Sequence, residues 1–277
     1  MSRRPVDLTR WLVVAPPTLF LLAFFLAPAL IVVAASLREP GEFGGLAPLD
    51  NLRQLTAESY RFLLGDPIYA EIFARSFVVA ALTTLICVVL AYPLAWLIAR
   101  SPKRRRDFLV LLVVLPFASN FLVRIYAWIM LLGPANLLYT PFAVIAGLVY
   151  VHLPFMVLPL YTNLEKHDPA LREAAQDLGA SRWTRFWRIT FPLSLPGIGS
   201  GSALVFIPVL GMFAVPELLG GTGDILIGNL IKEQFLDNRD WPLGSALSIL
   251  LTAAVLGLAG VAALAGRRGA GGTGAVS

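Results

Sequence analysis

Six stretches of this chain are each long and oily enough to cross a bilayer, and no other feature constrains the fold so tightly. A membrane interior offers backbone amides and carbonyls no partner, so a crossing helix closes its own hydrogen bonds over ~20 consecutive apolar residues. The stretches are Trp11 to Ser36, Ser76 to Ala99, Phe108 to Leu132, Pro141 to Asn163, Leu193 to Ala214 and Leu243 to Ala265. They account for a composition that is 57% hydrophobic and only 14% charged, far from that of a soluble domain. The expected fold is therefore all-α, a polytopic membrane protein with six transmembrane helices. Arg3 and Arg4 before the first stretch and Ala34, Ala35 and Ser36 at its end have the look of a secretory signal. The apolar run is much longer than the ~7 to 15 residues of a signal's core, so it reads as a span. The lone cysteine, Cys87, lies within the second stretch; one thiol makes no internal disulfide or metal cluster, and packing is its expected role.

The basic residues orient the spans. With the N-terminus in the cytoplasm, the inner segments hold Arg3, Arg4 and Arg10, then Arg100, Lys103, Arg104, Arg105 and Arg106. They also hold Lys166, Arg172, Arg182, Arg185 and Arg188, and finally Arg267 and Arg268, so that 15 of the 22 Lys and Arg lie inside. Six spans return the C-terminus to the cytoplasm, as the positive-inside rule asks. In a soluble chain this basic balance would suggest nucleic acid; here the charge is topogenic and no nucleic-acid partner is expected.

Between the spans, Leu37 to Arg75 reads as an outer loop with a more helical run from Asn51. RSPKRRRD is a short inner loop, GPANLLYT a tight outer turn, and Val215 to Pro242 an acidic outer segment. No repeat is evident, and the Gly-rich tail after Arg268 is expected to be disordered. The remaining inter-span segment, DPALREAAQDLGASRWTRFWRITFP from Asp168, is crowded with charge. Asp168 followed by Pro169 suits an N-cap and first helical residue. Leu171, Ala174, Ala175 and Leu178 recur at helical spacing to form one apolar stripe, and Gly179 fits the left-handed position that ends a helix. A second short run, Arg182 to Arg188, carries Trp183, Phe186 and Trp187 among three arginines, which suits the headgroup interface. Periodicity does not decide whether the first helix merely connects two spans or docks a partner.

Resemblance does decide. Glu173, Ala174 and Ala175, then Gly179, Ile189 and Pro192, resemble the EAA motif of inner-membrane permease subunits of ABC importers, with Phe191 where leucine usually precedes the proline. LPFASNFLVRIYAW, GLVYVHLPFMVLPLY, PELLGG and LIGNLIKEQFLDNRDWPLGSA are similar to the spermidine/putrescine subgroup. The resemblance implies a MetI-like ABC importer transmembrane domain. A cytoplasmic tail would cover 1–10, a six-span permease domain 11–265 with a coupling segment at 164–192, and a second cytoplasmic tail 266–277. It implies that Glu173, Ala174, Ala175, Asp177, Gly179 and Ala180 sit at the contact with an ATP-hydrolysing subunit. It also implies two such ATPases, a second permease subunit that is commonly a different chain, an extracytoplasmic solute-binding protein, and a place in the bacterial inner membrane.

The missing chemistry agrees with that reading. The three lysines follow Pro102, Glu165 and Ile231, so no Gly-Lys-Ser/Thr phosphate loop exists and ATP falls to another subunit. No His/Cys cluster, nucleophile elbow or paired in-membrane carboxylates point to catalysis, a metal or a cofactor. The chain is expected to be a transporter subunit rather than an enzyme. His152 in the fourth span reads as a hydrogen-bonded structural residue, and Arg124 in the third as a side chain that snorkels outward or lines a pathway. A polyamine cargo would need scattered carboxylates and aromatic faces, for which Glu217, Tyr126, Trp128, Tyr150, Phe213 and Asp240 are the candidates. Asp224, Glu233 and Asp237 add to an acidic outer segment. Gly197 and Gly201 form a small-xxx-small pair for close helix packing. Another small amine, a metal or an anion remains an alternative cargo, and an ion-driven carrier an alternative class.

Overall fold

The computed structural model describes the backbone over residues 8–47 and 55–270, with side chains over 13–47, 55–261 and at 264. Most of the expected tails, Arg267 and Arg268 among them, and the start of the run from Asn51 lie outside the described side chains or backbone. Thirteen α-helices make up the described chain: α1 (Leu8–Leu21), α2 (Ala27–Ser36), α3 (Glu58–Gly65), α4 (Pro67–Arg100), α5 (Lys103–Val114), α6 (Phe121–Leu132), α7 (Pro141–Glu165), α8 (Pro169–Asp177), α9 (Arg182–Arg185), α10 (Phe191–Gly211), α11 (Ala214–Leu219), α12 (Ile227–Leu236) and α13 (Trp241–Ala270). A π turn at Leu22–Leu26 joins α1 to α2. At ~1.5 Å per residue the 34 residues of α4 run about 51 Å, well past the ~30 Å hydrocarbon layer.

Five of the six apolar stretches form helices long enough to cross a membrane, and the third departs from expectation. Instead of one rod over Phe108 to Leu132, α5 with its 3-10 turn Leu115–Ala118 meets α6 at 92°. The break has a local cause. Pro116 has no amide to donate, and the Ser119 hydroxyl donates back to the Pro116 carbonyl at 2.7 Å. Asn120 then accepts the Leu122 amide at 2.8 Å and starts a new helix. A second departure lies at Arg182 to Arg188. That run is not a separate interfacial helix but the start of a continuous helix to Gly211, passing through a π turn at Phe186–Thr190. The segment from Val215, expected as an acidic loop, also proves to hold two helices, α11 and α12.

The contacts fall into two compact units, and the division cuts α4 and α12. In the unit of residues 70–229, α10 lies along α7. Lipid tails are as apolar as leucine, so in a bilayer close approach rather than water exclusion drives such pairing. A Cβ on Gly197 would stand 2.7 Å from the Asn163 Cβ, and one on Gly201 2.7 Å from the Met156 Sδ, so the small-xxx-small pair is the seam. Gly147 of α7 does the same for α11, where a Cβ would meet Leu219 at 2.5 Å and Val215 at 2.9 Å. Cys87 is buried, and His152 is buried with its Nδ1 2.8 Å from the Leu148 carbonyl, one turn back. Arg75 pairs with Asp224 at 2.6 Å and also donates to the Gly223 carbonyl, tying α4 to the loop after α11.

In the other unit α13 packs against α2 and α3. Tyr60 of α3 donates to the Ser36 hydroxyl at 2.8 Å. A turn bridged at Pro40 and Leu46 rests on residue 239, where the Gly45 amide donates to the Arg239 carbonyl at 2.7 Å. Gly44 has φ +89, and a Cβ there would strike Arg239. Many apolar side chains of the spans stay uncovered by the chain itself, Phe25 of the first span at 77% exposure among them, as expected of surfaces that meet lipid or another subunit.

Candidate functional site: a capped helix between two spans

α8 follows α7 directly and is fixed at both ends by its own sequence. The Asp168 carboxylate accepts the Ala170 amide at 2.9 Å, and Pro169 fills the first helical position, where an amide would have no partner. At the other end the Gly179 amide donates to Gln176 O and the Ala180 amide to Ala175 O, both at 2.9 Å, while Gly179 takes φ +79. These two bonds form a Schellman motif, which needs a residue content in the left-handed region. Ser181 then caps α9 by accepting the Thr184 amide at 3.2 Å. Arg185 reaches back to the Gln176 Oε1 at 2.6 Å, so the turn is pinned from both sides.

The apolar stripe of α8 is left open. Leu171 is 49% and Leu178 88% exposed, Ala174 is exposed, and Ala175 is half-buried. Glu173, Asp177 and Gly179 are exposed beside them, and Ala180 is half-buried. All six expected contact residues therefore lie on one short capped helix and its closing turn. The sequence reading missed what connects that helix to the spans. Phe186 stacks edge-on against Tyr92 at 5.5 Å and packs on Trp96 at 5.9 Å, while Trp187 meets Phe191 at 5.1 Å. Tyr92 also lies 3.2 Å from the Ser194 hydroxyl. This aromatic seam locks the start of α10 onto the end of α4. Tyr92 and Trp96 at i and i+4, facing a run of Trp183, Phe186, Trp187 and Phe191, were the signal available for it.

The six pathway candidates separate. Trp128 of α6 and Tyr150 of α7 meet edge-to-face with centroids 5.7 Å apart, and Tyr126 is exposed two residues away on α6. Glu217 is exposed on α11, and Phe213 precedes that helix, its carbonyl accepting from the Asn229 side chain at 2.9 Å. Asp240 belongs to the other unit and caps α13, accepting the Leu243 amide at 3.0 Å. Two further acids of the segment from Val215 are engaged, Asp224 by Arg75 and Asp237 by Lys232 at 3.5 Å. Arg124 sits between Phe117 and Phe121, 5.7 and 5.8 Å from their ring centroids.

Comparison with known proteins gives the arrangement its family. The model of the binding-protein-dependent transport system inner membrane component matches residues 91–267. The chain is 43% identical to the spermidine/putrescine transport system permease protein PotB of Escherichia coli strain K12, over 86% of this chain and 90% of that one. Identity to PotB of Haemophilus influenzae is 42%, over 84% of this chain and 85% of the relative. The crystal structure of a bacterial alginate ABC transporter in complex with alginate pentasaccharide-bound periplasmic protein superposes with a TM-score of 0.69, at 18% identity and 95% coverage of both chains, which shows a shared fold. A family match over residues 91–267, joined to 43% identity over 86% of the chain, means that this protein belongs to the inner-membrane components of binding-protein-dependent transport systems, a family of permease subunits rather than enzymes.

Proposed function

We propose that the chain forms half of the solute pathway of an ATP-driven importer of polyamines, and that α8 is the lever by which an ATPase subunit moves it. The single observation that carries this reading is the uncovered apolar stripe of α8. A capped, amphipathic helix with Leu178 at 88% exposure is stable enough to transmit force and unfinished without a partner groove. Motion of α8 passes through the Arg185–Gln176 bond to α9, and through the aromatic seam to α4 and α10, so that the spans respond as a body.

Both termini lie in the cytoplasm in this reading, the permease body spans 11–265, and the coupling segment 164–192 faces the cytosol between tails at 1–10 and 266–277. Two ATPase subunits, a second permease chain and an extracytoplasmic binding protein complete the transporter. The polyamine cargo follows the relatives' substrate, together with chemistry suited to a string of ammonium groups. Trp128 and Tyr150 offer joined aromatic faces, with Tyr126 and Phe213 beside their helices, and Glu217 supplies a carboxylate. Asp240, in the other unit, is a further pathway candidate by its charge, with one oxygen given to the cap of α13.

The test is uptake of radiolabelled spermidine into vesicles holding the assembled transporter. Glu173→Lys and Leu178→Asp should assemble in the membrane at normal levels and lose at least about tenfold in uptake, because the first inverts a charge at the docking contact and the second forces one into its apolar part. Normal uptake by both variants would overturn the lever.

A further inference from the structure

Beneath the turn between α8 and α9 the structure holds a charged cleft whose contents the transport reading does not explain. An open cavity of about 1110 Å³ lies between the end of α4, α8 and α9, and Trp96, Arg100, Pro169 and Arg172 also wall a tighter recess of about 150 Å³ beside it. Four arginines line the larger cavity, Arg100, Arg172, Arg182 and Arg185, against one carboxylate, Glu173. None of the four makes an ion pair among the described residues, and Arg172 and Arg185 act on Arg100 as like charges. The acids of the recess are already committed, Glu165 to Arg106 at 2.5 Å and Asp168 to its helix cap. Like charges gathered around one cleft repel one another unless an anion joins them, and a planar guanidinium binds the oxygens of a phosphate in pairs.

We propose that this cleft binds a phosphate group, presented by the headgroup of an anionic phospholipid. The aromatic residues fix the depth. Trp96 lies under the Arg100 guanidinium at 3.9 Å near the end of the α4 span, and Trp183, 71% exposed, marks the start of the helix that continues into α10. Tryptophan collects at the headgroup level of a bilayer, so the arginines stand where lipid phosphates are, and basic pockets between membrane helices hold such headgroups. The bound phosphate would bridge α4 to the α8–α9 turn. It requires only that α4 and α10 cross a bilayer, so it stands or falls separately from the docking of an ATPase.

Native mass spectrometry of the full-length protein released from nanodiscs of phosphatidylcholine with one-fifth phosphatidylglycerol tests the proposal. Wild type should retain phosphatidylglycerol, and Arg100→Gln with Arg185→Gln should reduce that retention at least about fivefold, since charge-assisted pairs are lost. Arg100→Lys with Arg185→Lys should fall between them, keeping the charge without the fork. Arg104→Gln with Arg105→Gln removes two exposed charges of the α5 start and should change retention less than about twofold if the cleft, and not general surface charge, is the site. A second arm adds inorganic phosphate to protein in phosphatidylcholine alone: binding there that the Gln pair abolishes supports the phosphate site and assigns it a soluble source. Equal loss in the Arg104/Arg105 variant would overturn the proposal. So would an absence of both lipid and phosphate binding, or a photo-cross-linker at position 185 that captures a partner protein in place of lipid.

Discussion

Two short helices interrupt the run of spans, and the chain treats their apolar faces in opposite ways. α11 buries Val215, Pro216 and Leu219, and its side chains come so close to α7 that Gly147 has no room for a Cβ. α8 has the cleaner amphipathic pattern and buries none of its residues. The difference lies in the facing element and not in the stripe. A glycine on a neighbouring span receives one helix, and no described residue buries the stripe of the other. Unfinished packing on a helix capped at both ends is what the proposed docking role needs, whereas the finished packing of α11 makes it a fixed part of the permease body.

That contrast can be broken in graded steps. Gly147→Leu should have the largest effect on stability, about 3 kcal/mol from overpacking against Leu219 and Val215, read as a lowered thermal midpoint of the detergent-solubilised protein. Gly179→Val should cost about 1–2 kcal/mol, all of it in the backbone, since φ is +79 and a Cβ there meets nothing within 4 Å. Gly179→Ala should fall short of the valine variant, and a midpoint unchanged by either would deny the Schellman turn its role. Asp168→Ala should cost about 1 kcal/mol through the lost cap, seen as faster amide hydrogen exchange confined to the first turn of α8. Leu178→Asp should shift the midpoint least, by an amount equivalent to under about 0.5 kcal/mol, because it removes no contact within the chain. A large destabilisation by Leu178→Asp would mean that the α8 stripe is internal packing after all.

These two helices also mark how far the sequence can be read. α8 was legible to the residue at its start, because Asp168, Pro169 and Gly179 are local signals with local causes. Five spans were legible for a similar reason, since hydropathy sums over one segment. The bend in the third stretch was not, because composition is blind to direction; its clue was Asn120, a capping residue inside an apolar run. Asp240 stands before Trp241 and Pro242, a helix-start pattern that matches the cap its carboxylate makes to the Leu243 amide. The Arg75–Asp224 pair joins residues 149 apart, and the seam between Tyr92, Phe186 and Phe191 joins two spans. No local pattern specifies such partners. Whether a stripe is covered is likewise a property of the neighbour, which the local sequence of α8 or α11 does not carry.

The most direct measurement places a photo-cross-linking amino acid at position 178 of the full-length chain, in cells that also express the other subunits of its transporter. If α8 is the lever, irradiation should join position 178 to an ATP-hydrolysing subunit, and Glu173→Lys in the same chain should weaken that product. Cross-links only to lipid, or labelling of a cysteine at 178 by a membrane-impermeant reagent applied from outside the cell, would contradict the account.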